Sequence, residues 1–192
     1  MLEAIGAVVG LVYLWLECKA SIHLWIAGII MPAIYVVVFY QSKLYTQLAI
    51  NAYFLLASLY GWYTWKYPSA KELQGKPLPI RHTPIRLIGG LTAVAVAIFV
   101  VLYSLLQHLH PAPTTMWESL STTLSIIGMW MLAKKYVEQW WVWIATDIIS
   151  AHLYWISELP YTALLYLLYT IVAFYGYREW KKIMTTQSPA LP

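Results

Sequence analysis

Residues 138–157 read EQWWVWIATDIISAHLYWIS. Twenty residues is the length at which an α-helix crosses the hydrocarbon of a bilayer, and this stretch is apolar except at its centre. There stands Asp147, the only aspartate in the chain. A carboxylate inside a span costs about 2.5–3.5 kcal/mol on insertion scales, so it marks a functional position by default. At helical spacings of three and four, one face carries Trp140, Trp143, Asp147, Ser150 and Tyr154. Such a face suits a cationic ligand: Asp147 is its counter-charge, and the rings add cation–π attraction of about 0.5–2 kcal/mol. The alternative is an Asp hydrogen-bonded to a neighbouring helix purely for packing.

The surrounding chain has the same character. Of 192 residues, 61% are hydrophobic and only 10% charged, with a mean hydropathy of +0.63. A soluble domain devotes about 25% of its residues to charge, so this chain is read as an integral membrane protein with no sizeable catalytic domain outside the bilayer. The net charge of +4 resides in short loops, which points to membrane topology and away from nucleic acid. Apolar runs near 2–17, 22–40, 45–65, 86–107, 116–133, 138–157 and 160–178 predict seven helices. Residues 2–16 lack a basic leader and a small-residue cleavage site, so they are read as a retained first span. Residues 66–85, with four prolines, are read as a flexible linker.

Loop charges orient the bundle. Eleven of the twelve Lys and Arg residues fall on one side and only Lys43 on the other. By the positive-inside rule the amino end lies outside and the carboxyl end in the cytoplasm, which requires an odd number of spans. The chain also echoes itself. Trp25-Ile26-Ala27 recurs at 143–145, Tyr45-Thr46 at 161–162, and Tyr60-Gly61 with Trp65-Lys66 at 175–176 with 180–181. Nearly constant offsets of 118, 116 and 115 argue for a duplicated three-helix unit. The division is 1–65 as the first bundle, 66–85 as a cytoplasmic linker, 86–115 as a linker helix and outer loop, 116–183 as the second bundle, and 184–192 as a tail. The linker helix restores the orientation of the second copy, giving a 3+1+3 parallel repeat. Transporters of that kind hold substrate near mid-membrane between copies.

Other spans offer partners for Asp147. The third carries Gln47, Asn51, Ser58, Trp62 and Trp65 on one stripe, although amides also bond helices together and terminal Trp residues also form an interfacial belt. The fifth opens with Trp117 and Glu118 and continues through Ser121, Thr122, Ser125 and Gly128. Glu118 is either a first-turn acid favoured by the helix dipole or part of the site mouth. Tyr35, Tyr166 and Tyr169 are further cavity candidates, and Pro32 is a hinge or a static kink. Cys18 is read as a packing thiol. His152 sits off the Asp147 face, no metal-ligand spacing appears, and no Gly-rich phosphate loop is present. No enzyme, metal or cofactor is expected. A small intramembrane lipid enzyme or a channel are the alternatives from other classes.

Asn51-Ala52-Tyr53, Tyr60-Gly61-Trp62-Tyr63-Thr64-Trp65, Trp117-Glu118-Ser119, Lys135-Tyr136-Val137-Glu138-Gln139-Trp140 and the Asp147 helix resemble the Pnu-type vitamin transporters over nearly the whole chain. These are bacterial nicotinamide riboside transporters with a thiamine-carrying branch. The resemblance implies an all-α, SWEET-like 3+1+3 fold, often a homotrimer, in the bacterial inner membrane. It also implies facilitated diffusion without ion coupling, the product being trapped by a separate cytoplasmic kinase. Carried over by position, it points to Asn51, Trp62, Trp65, Trp143 and Asp147. Several nicotinamide riboside members carry Asn where this chain has Asp147. Thiamine shares the fixed positive ring charge and is the alternative substrate.

Overall fold

The computed structural model describes residues 2–43, 45–68, 78–109 and 111–187. Seven helices form: α1 (Leu2–Cys18), α2 (Leu24–Gln41), α3 (Tyr45–Lys66), α4 (Ile85–Leu109), α5 (Thr115–Ala133), α6 (Gln139–Ile156) and α7 (Pro160–Gln187). On length and hydropathy alone, α2 and α4 suffice to cross a membrane, at mean hydropathies of 1.9 and 2.4. Helix α1 is apolar but, at 17 residues, short of that length, and the remaining helices carry Tyr, Trp, Ser and amide groups that lower the average. Of the two runs 2–17 and 160–178, the second is extended most. Helix α7 continues nine residues past Arg178, where Glu179 pairs with Lys19 at 3.6 Å and Lys182 at 3.8 Å.

Helix packing closes a ring. Helix α1 packs on α2, α2 on α3, α3 on α5, α5 on α6, α6 on α7, and α7 back on α1. Helix α4 packs only on α5 and buries no residue, as expected for a linker helix. Exchanging α1, α2, α3 with α5, α6, α7 maps this ring onto itself.

The turns match at an offset of 115. Ala20 (φ 48°) corresponds to Lys135 (φ 54°), and Lys43 (φ 58°) to Glu158 (φ 60°). Each is a left-handed residue ending a helix. The amides of Ser21 and Tyr136 bond the Leu16 and Met131 carbonyls, while those of Ala20 and Lys135 bond Glu17 and Leu132. Tyr60-Gly61 and Tyr175-Gly176 keep this register. Trp25 instead corresponds to Trp140, one helical turn before Trp143, so the Trp-Ile-Ala coincidence lies out of register with the turns.

Two indole sockets lock the end of the bundle where the basic loops gather. The Trp25 ring lies on Gly61 and the Trp140 ring on Gly176, where any Cβ would collide. Trp65 meets Trp25 edge-on (centroids 5.4 Å), and Trp180 meets Trp140 likewise (5.8 Å). Each outer indole then donates to the other three-helix set: Trp65 Nε1 to the Ala133 carbonyl (3.2 Å), and Trp180 Nε1 to that of Glu17 (2.7 Å). These bonds use last-turn carbonyls that have no partner inside their helices.

The connection read as flexible is fastened over its second half; residues 69–77 lie outside the described residues. Leu78 and Ile80 are buried in the core. The Arg81 amide bonds the Lys135 carbonyl, and the Val137 amide bonds that of Arg81, both at 3.0 Å. Glu138 accepts from the Thr83 amide (2.7 Å) and hydroxyl (2.8 Å), and pairs with His82 Nδ1 (2.6 Å). Burial pushes the Glu138 carboxyl up, but the His82 and Thr83 bonds outweigh it and hold the group below the ordinary range.

Two outcomes are expected. Gly61→Ala and Gly176→Ala each lower stability by about 1–3 kcal/mol through overpacking, read as a lower thermal midpoint in detergent; Gly89→Ala and Gly90→Ala, which face open space, do not. Burial holds the Lys135 ammonium, in the α5–α6 turn, down to about 8 from 10.5. Between those values the unfolded chain binds a proton that the folded chain does not, so stability rises with pH from about 8 to 10.5. Thermal unfolding across that window shows the rise, and Lys135→Met removes this component.

Candidate functional site

Two cavities are stacked along the α6 face that carries the lone aspartate. The inner one, about 330 Å³, is lined by five of the six ring helices: Gly10 and Tyr13 of α1, Gly28, Met31 and Pro32 of α2, Phe54 and Ser58 of α3, Met129 of α5 and Trp143 of α6. The outer one, about 230 Å³, lies toward the opposite end and is lined by Gln47, Glu118, Ser121, Thr122, Ser150, Tyr154 and Tyr166. Asp147 is in the lining of neither; along α6 it stands one turn from Trp143 of the inner cavity and one turn from Ser150 of the outer one. A larger groove of about 470 Å³ runs between α4, α5 and α6. Its lining is mostly aliphatic and contains none of the sequence-derived site residues.

Asp147 is 7% exposed and forms no hydrogen bond or ion pair among the described residues. The hydroxyls of Tyr166 and Tyr169 and the carboxyl of Glu17 lie within its electrostatic reach. No arginine or lysine lines either cavity among the described residues. The carboxyl group is therefore buried, without a cationic partner among the described residues, and near aromatic hydroxyls.

Neighbouring side chains are held in place by short links. Ser150 Oγ meets Ser121 Oγ at 2.8 Å, joining α6 to α5. The Tyr154 ring stacks on Tyr166 (5.2 Å), which meets Tyr169 edge-on (5.6 Å). The Tyr169 hydroxyl reaches the backbone of Gly10, where a Cβ would block it. Asn51 Nδ2 donates to the Gln47 carbonyl at 2.9 Å. Glu118 accepts from Thr114 Oγ1 at 2.6 Å, a first-turn arrangement, and also lines the outer cavity.

The sequence-derived residues thus separate into two groups. Ser58 and Trp143 line the inner cavity, while Gln47, Glu118, Ser150 and Tyr154 line the outer one, with Asp147 between them and Tyr169 at the Gly10 wall. Trp62, Trp65 and Trp140 lie elsewhere, in the cluster at the basic end. Trp65 and Trp140 are spent on the indole sockets, and the Trp62 ring carries Lys66 Nζ at 4.5 Å. Tyr35 is exposed and stacks on Phe39, so it does not line the cavity; Pro32 does. Cys18 is a free, buried thiol. The His152 ring packs on Trp117 at 4.7 Å. Sequence reading passed over Gly10, Tyr13, Gly28 and Met129, and it passed over Glu17, which is 1% exposed. Glu17 precedes Cys18 and Lys19 and so resembles an ordinary polar helix end.

Comparison with known proteins follows this geometry. Residues 1–182 match the family model described as nicotinamide mononucleotide transporter. The chain is similar to the nicotinamide riboside transporter PnuC of Escherichia coli (strain K12), 28% identical over 203 residues that cover 93% of this chain and 84% of that protein. It is also similar to the riboflavin/roseoflavin transporter RibM of Streptomyces davaonensis, 24% identical over 93% of this chain and 83% of that one. The crystal structure of the vitamin B3 transporter PnuC superposes with a TM-score of 0.70 at 24% identity, covering 95% of this chain and 81% of that one. That likeness establishes a shared all-helical fold.

Ser58 Oγ is buried without a hydrogen-bond partner. An unpaired buried hydroxyl costs about 1–3 kcal/mol, so Ser58→Ala should leave the thermal midpoint equal or higher. Ser121→Ala, which removes the bond to Ser150, should lower stability by about 0.6 kcal/mol. Thermal unfolding of the two purified variants in detergent compares them directly.

Proposed function

We propose, from the premise that this chain belongs to the nicotinamide mononucleotide transporter family, that it carries nicotinamide riboside across the membrane by facilitated diffusion. Asp147 is the observation that carries this reading: a carboxylate with no protein partner, on the face between the two cavities. The pyridinium of nicotinamide riboside supplies the missing positive charge. Trp143 and the Tyr154–Tyr166–Tyr169 rings flank that ring in place of water, while Gln47, Ser58 and Ser150 bond the ribose and carboxamide, and Asn51, which lines neither cavity, steadies the Gln47 turn. The family's description names the mononucleotide, but a phosphate requires a cation, and no Lys or Arg lines either cavity among the described residues. The nucleoside is the better match. Riboflavin, which the printed name gives to one relative, is neutral and leaves Asp147 without a partner. Thiamine satisfies the charge equally and is the second reading.

The scaffold for transport is a 3+1+3 parallel repeat of the SWEET-like kind. The self-mapping ring and the helix ends matched at an offset of 115 support it. Alternating access follows: the sets α1–α3 and α5–α7 rock about the site, exposing it first to the amino-terminal side, which lies outside, and then to the basic, cytoplasmic side. Phosphorylation by a separate kinase keeps the flux inward. Helix α4, apolar and without buried residues, supplies a face for a homotrimer.

Loss of a charge-assisted contact is worth about 1.5–3 kcal/mol. Asp147→Ala should therefore weaken nicotinamide riboside binding by roughly 10–100-fold and abolish saturable uptake into proteoliposomes, the variant remaining folded. Unchanged uptake affinity in that variant would falsify the counter-charge role. Calorimetric titration of the native protein with nicotinamide riboside, thiamine and riboflavin, one at a time, ranks the substrates. Conductance without saturation would instead indicate a channel.

A further inference from the structure

Four side chains form one layer directly beneath the inner cavity, on the side of the basic loops. Each lies one helical turn from a residue of the cavity wall: Glu17 after Tyr13 on α1, Leu24 before Gly28 on α2, Leu132 after Met129 on α5, and Gln139 before Trp143 on α6. Their exposures are 1%, 0%, 0% and 0%, so the layer seals the cavity from that end. Under the 115 offset, Glu17 corresponds to Leu132 and Leu24 to Gln139. The matched pairs therefore differ in kind: one half of the layer is leucine against leucine, the other a carboxyl against an amide.

The polar half is loosely satisfied. The Glu17 and Gln139 side chains lie against each other, yet Glu17 Oε1 and both amide atoms of Gln139 are buried outside hydrogen-bond geometry. Helices α1 and α6 share no backbone packing among the described residues, so side chains alone join them at this level, these two among them. A buried polar pair in such condition resists separation less than an apolar contact of the same volume, because hydration rewards both groups once they part. Around it the Trp65 and Trp180 bonds tie the helix ends of the two sets together. The layer is thus the natural point of parting.

We infer that Glu17 and Gln139 are the latch of a gate closing the inner cavity toward the basic end, and that their polarity keeps the gate openable. The inference rests on the alternating-access reading above and adds the residues that perform one of its two closures.

The test needs no substrate. In a Cys18→Ala background, Ser58→Cys places a thiol on the cavity wall. The protein is reconstituted into sealed vesicles and treated with a charged, membrane-impermeant methanethiosulfonate. Vesicles in which a separate Lys181→Cys control reacts are those that present the basic end. From that end, Glu17→Ala/Gln139→Ala should raise the Ser58→Cys labelling rate about tenfold or more, and Glu17→Leu/Gln139→Leu should lower it below the parent. Glu17→Gln, which preserves a polar pair, should stay within about twofold. Labelling from the opposite end should be the same in all, which a general loosening of the fold does not reproduce. If the alanine pair fails to fold, the leucine pair decides. Equal rates from the basic end in the leucine pair and the parent overturn the latch. Separately, a parent protein that takes up no nicotinamide riboside overturns the substrate reading and leaves the labelling result standing.

Discussion

The fit of an indole into the notch left by a glycine organises this bundle. Trp25 on Gly61 and Trp140 on Gly176 bring α2 to α3 and α6 to α7 at one end. The second indole of each pair then reaches a carbonyl of the opposite set. Lipid offers no hydrophobic drive for helices to associate, so close packing and a few hydrogen bonds must hold them. Both are concentrated at the basic end. The opposite end is tied more sparingly, by Ser121 with Ser150 and, between α3 and α5, by the Tyr53 hydroxyl on the Ile126 carbonyl at 2.9 Å. Space for a ligand survives there because the packing was completed elsewhere.

Within this near-symmetric frame the site is strongly asymmetric. The 115 offset pairs Asp147 with Pro32, Trp143 with Gly28, and Tyr13 with Gly128. Each large ring thus faces a glycine contributed by the neighbouring helix of its own set. Tyr13 lies over Gly28 from α1, and Trp143 lies over Gly128 from α6. Complementary swapping of this kind keeps the packed volume alike in the two copies while removing the twofold axis from the cavity. At this level the repeat thus keeps one carboxyl group where strict symmetry would place two. Two symmetry-related carboxylates would face each other across a narrow lumen, and one would have to be neutral.

The fold was largely legible in the sequence because a bilayer leaves little choice: backbone groups must be satisfied within each span, and helices do so alone. Run lengths and the charges of the loops therefore carried helix number and order. The candidate site stood out in the sequence where chemistry is unusual for its depth, as at Asp147 and Ser150, both of which the structure buries. It was misread where chemistry was ordinary. Trp65 and Trp140 share the composition of a binding box, yet their places are decided by partners distant along the chain: Trp140 by Gly176, and Trp65 by the Trp25 ring and the Ala133 carbonyl. Glu17 failed to stand out for the converse reason. Its flanking Cys18 and Lys19 suggest a wet helix end, whereas Glu17 and Cys18 are buried, the Trp180 indole bonding the Glu17 carbonyl and Cys18 joining the core that the returning strap at Leu78 and Ile80 completes. The strap itself hid behind its prolines, which forbid helix but not an extended segment hydrogen-bonded to a turn.

Charge is partitioned in a way that makes the separate features one device. The lysines and arginines gather at the loops of one end, where Lys135 lies over the Trp65 ring at 4.2 Å and Lys134 over Tyr60 at 5.1 Å. The ring interior instead holds Asp147 and Glu17, with no cation beside either among the described residues. A basic rim alone would repel a positively charged solute, but at physiological salt its reach is only about 8 Å. Interior carboxylates are screened far less, because the surroundings are protein and not water. On the reading proposed above, a cation entering from the opposite end meets attraction at Asp147 before it comes within reach of the rim. The rim adds a barrier that the solute crosses in either direction, so it bears on the rate of exchange at that end and not on its direction.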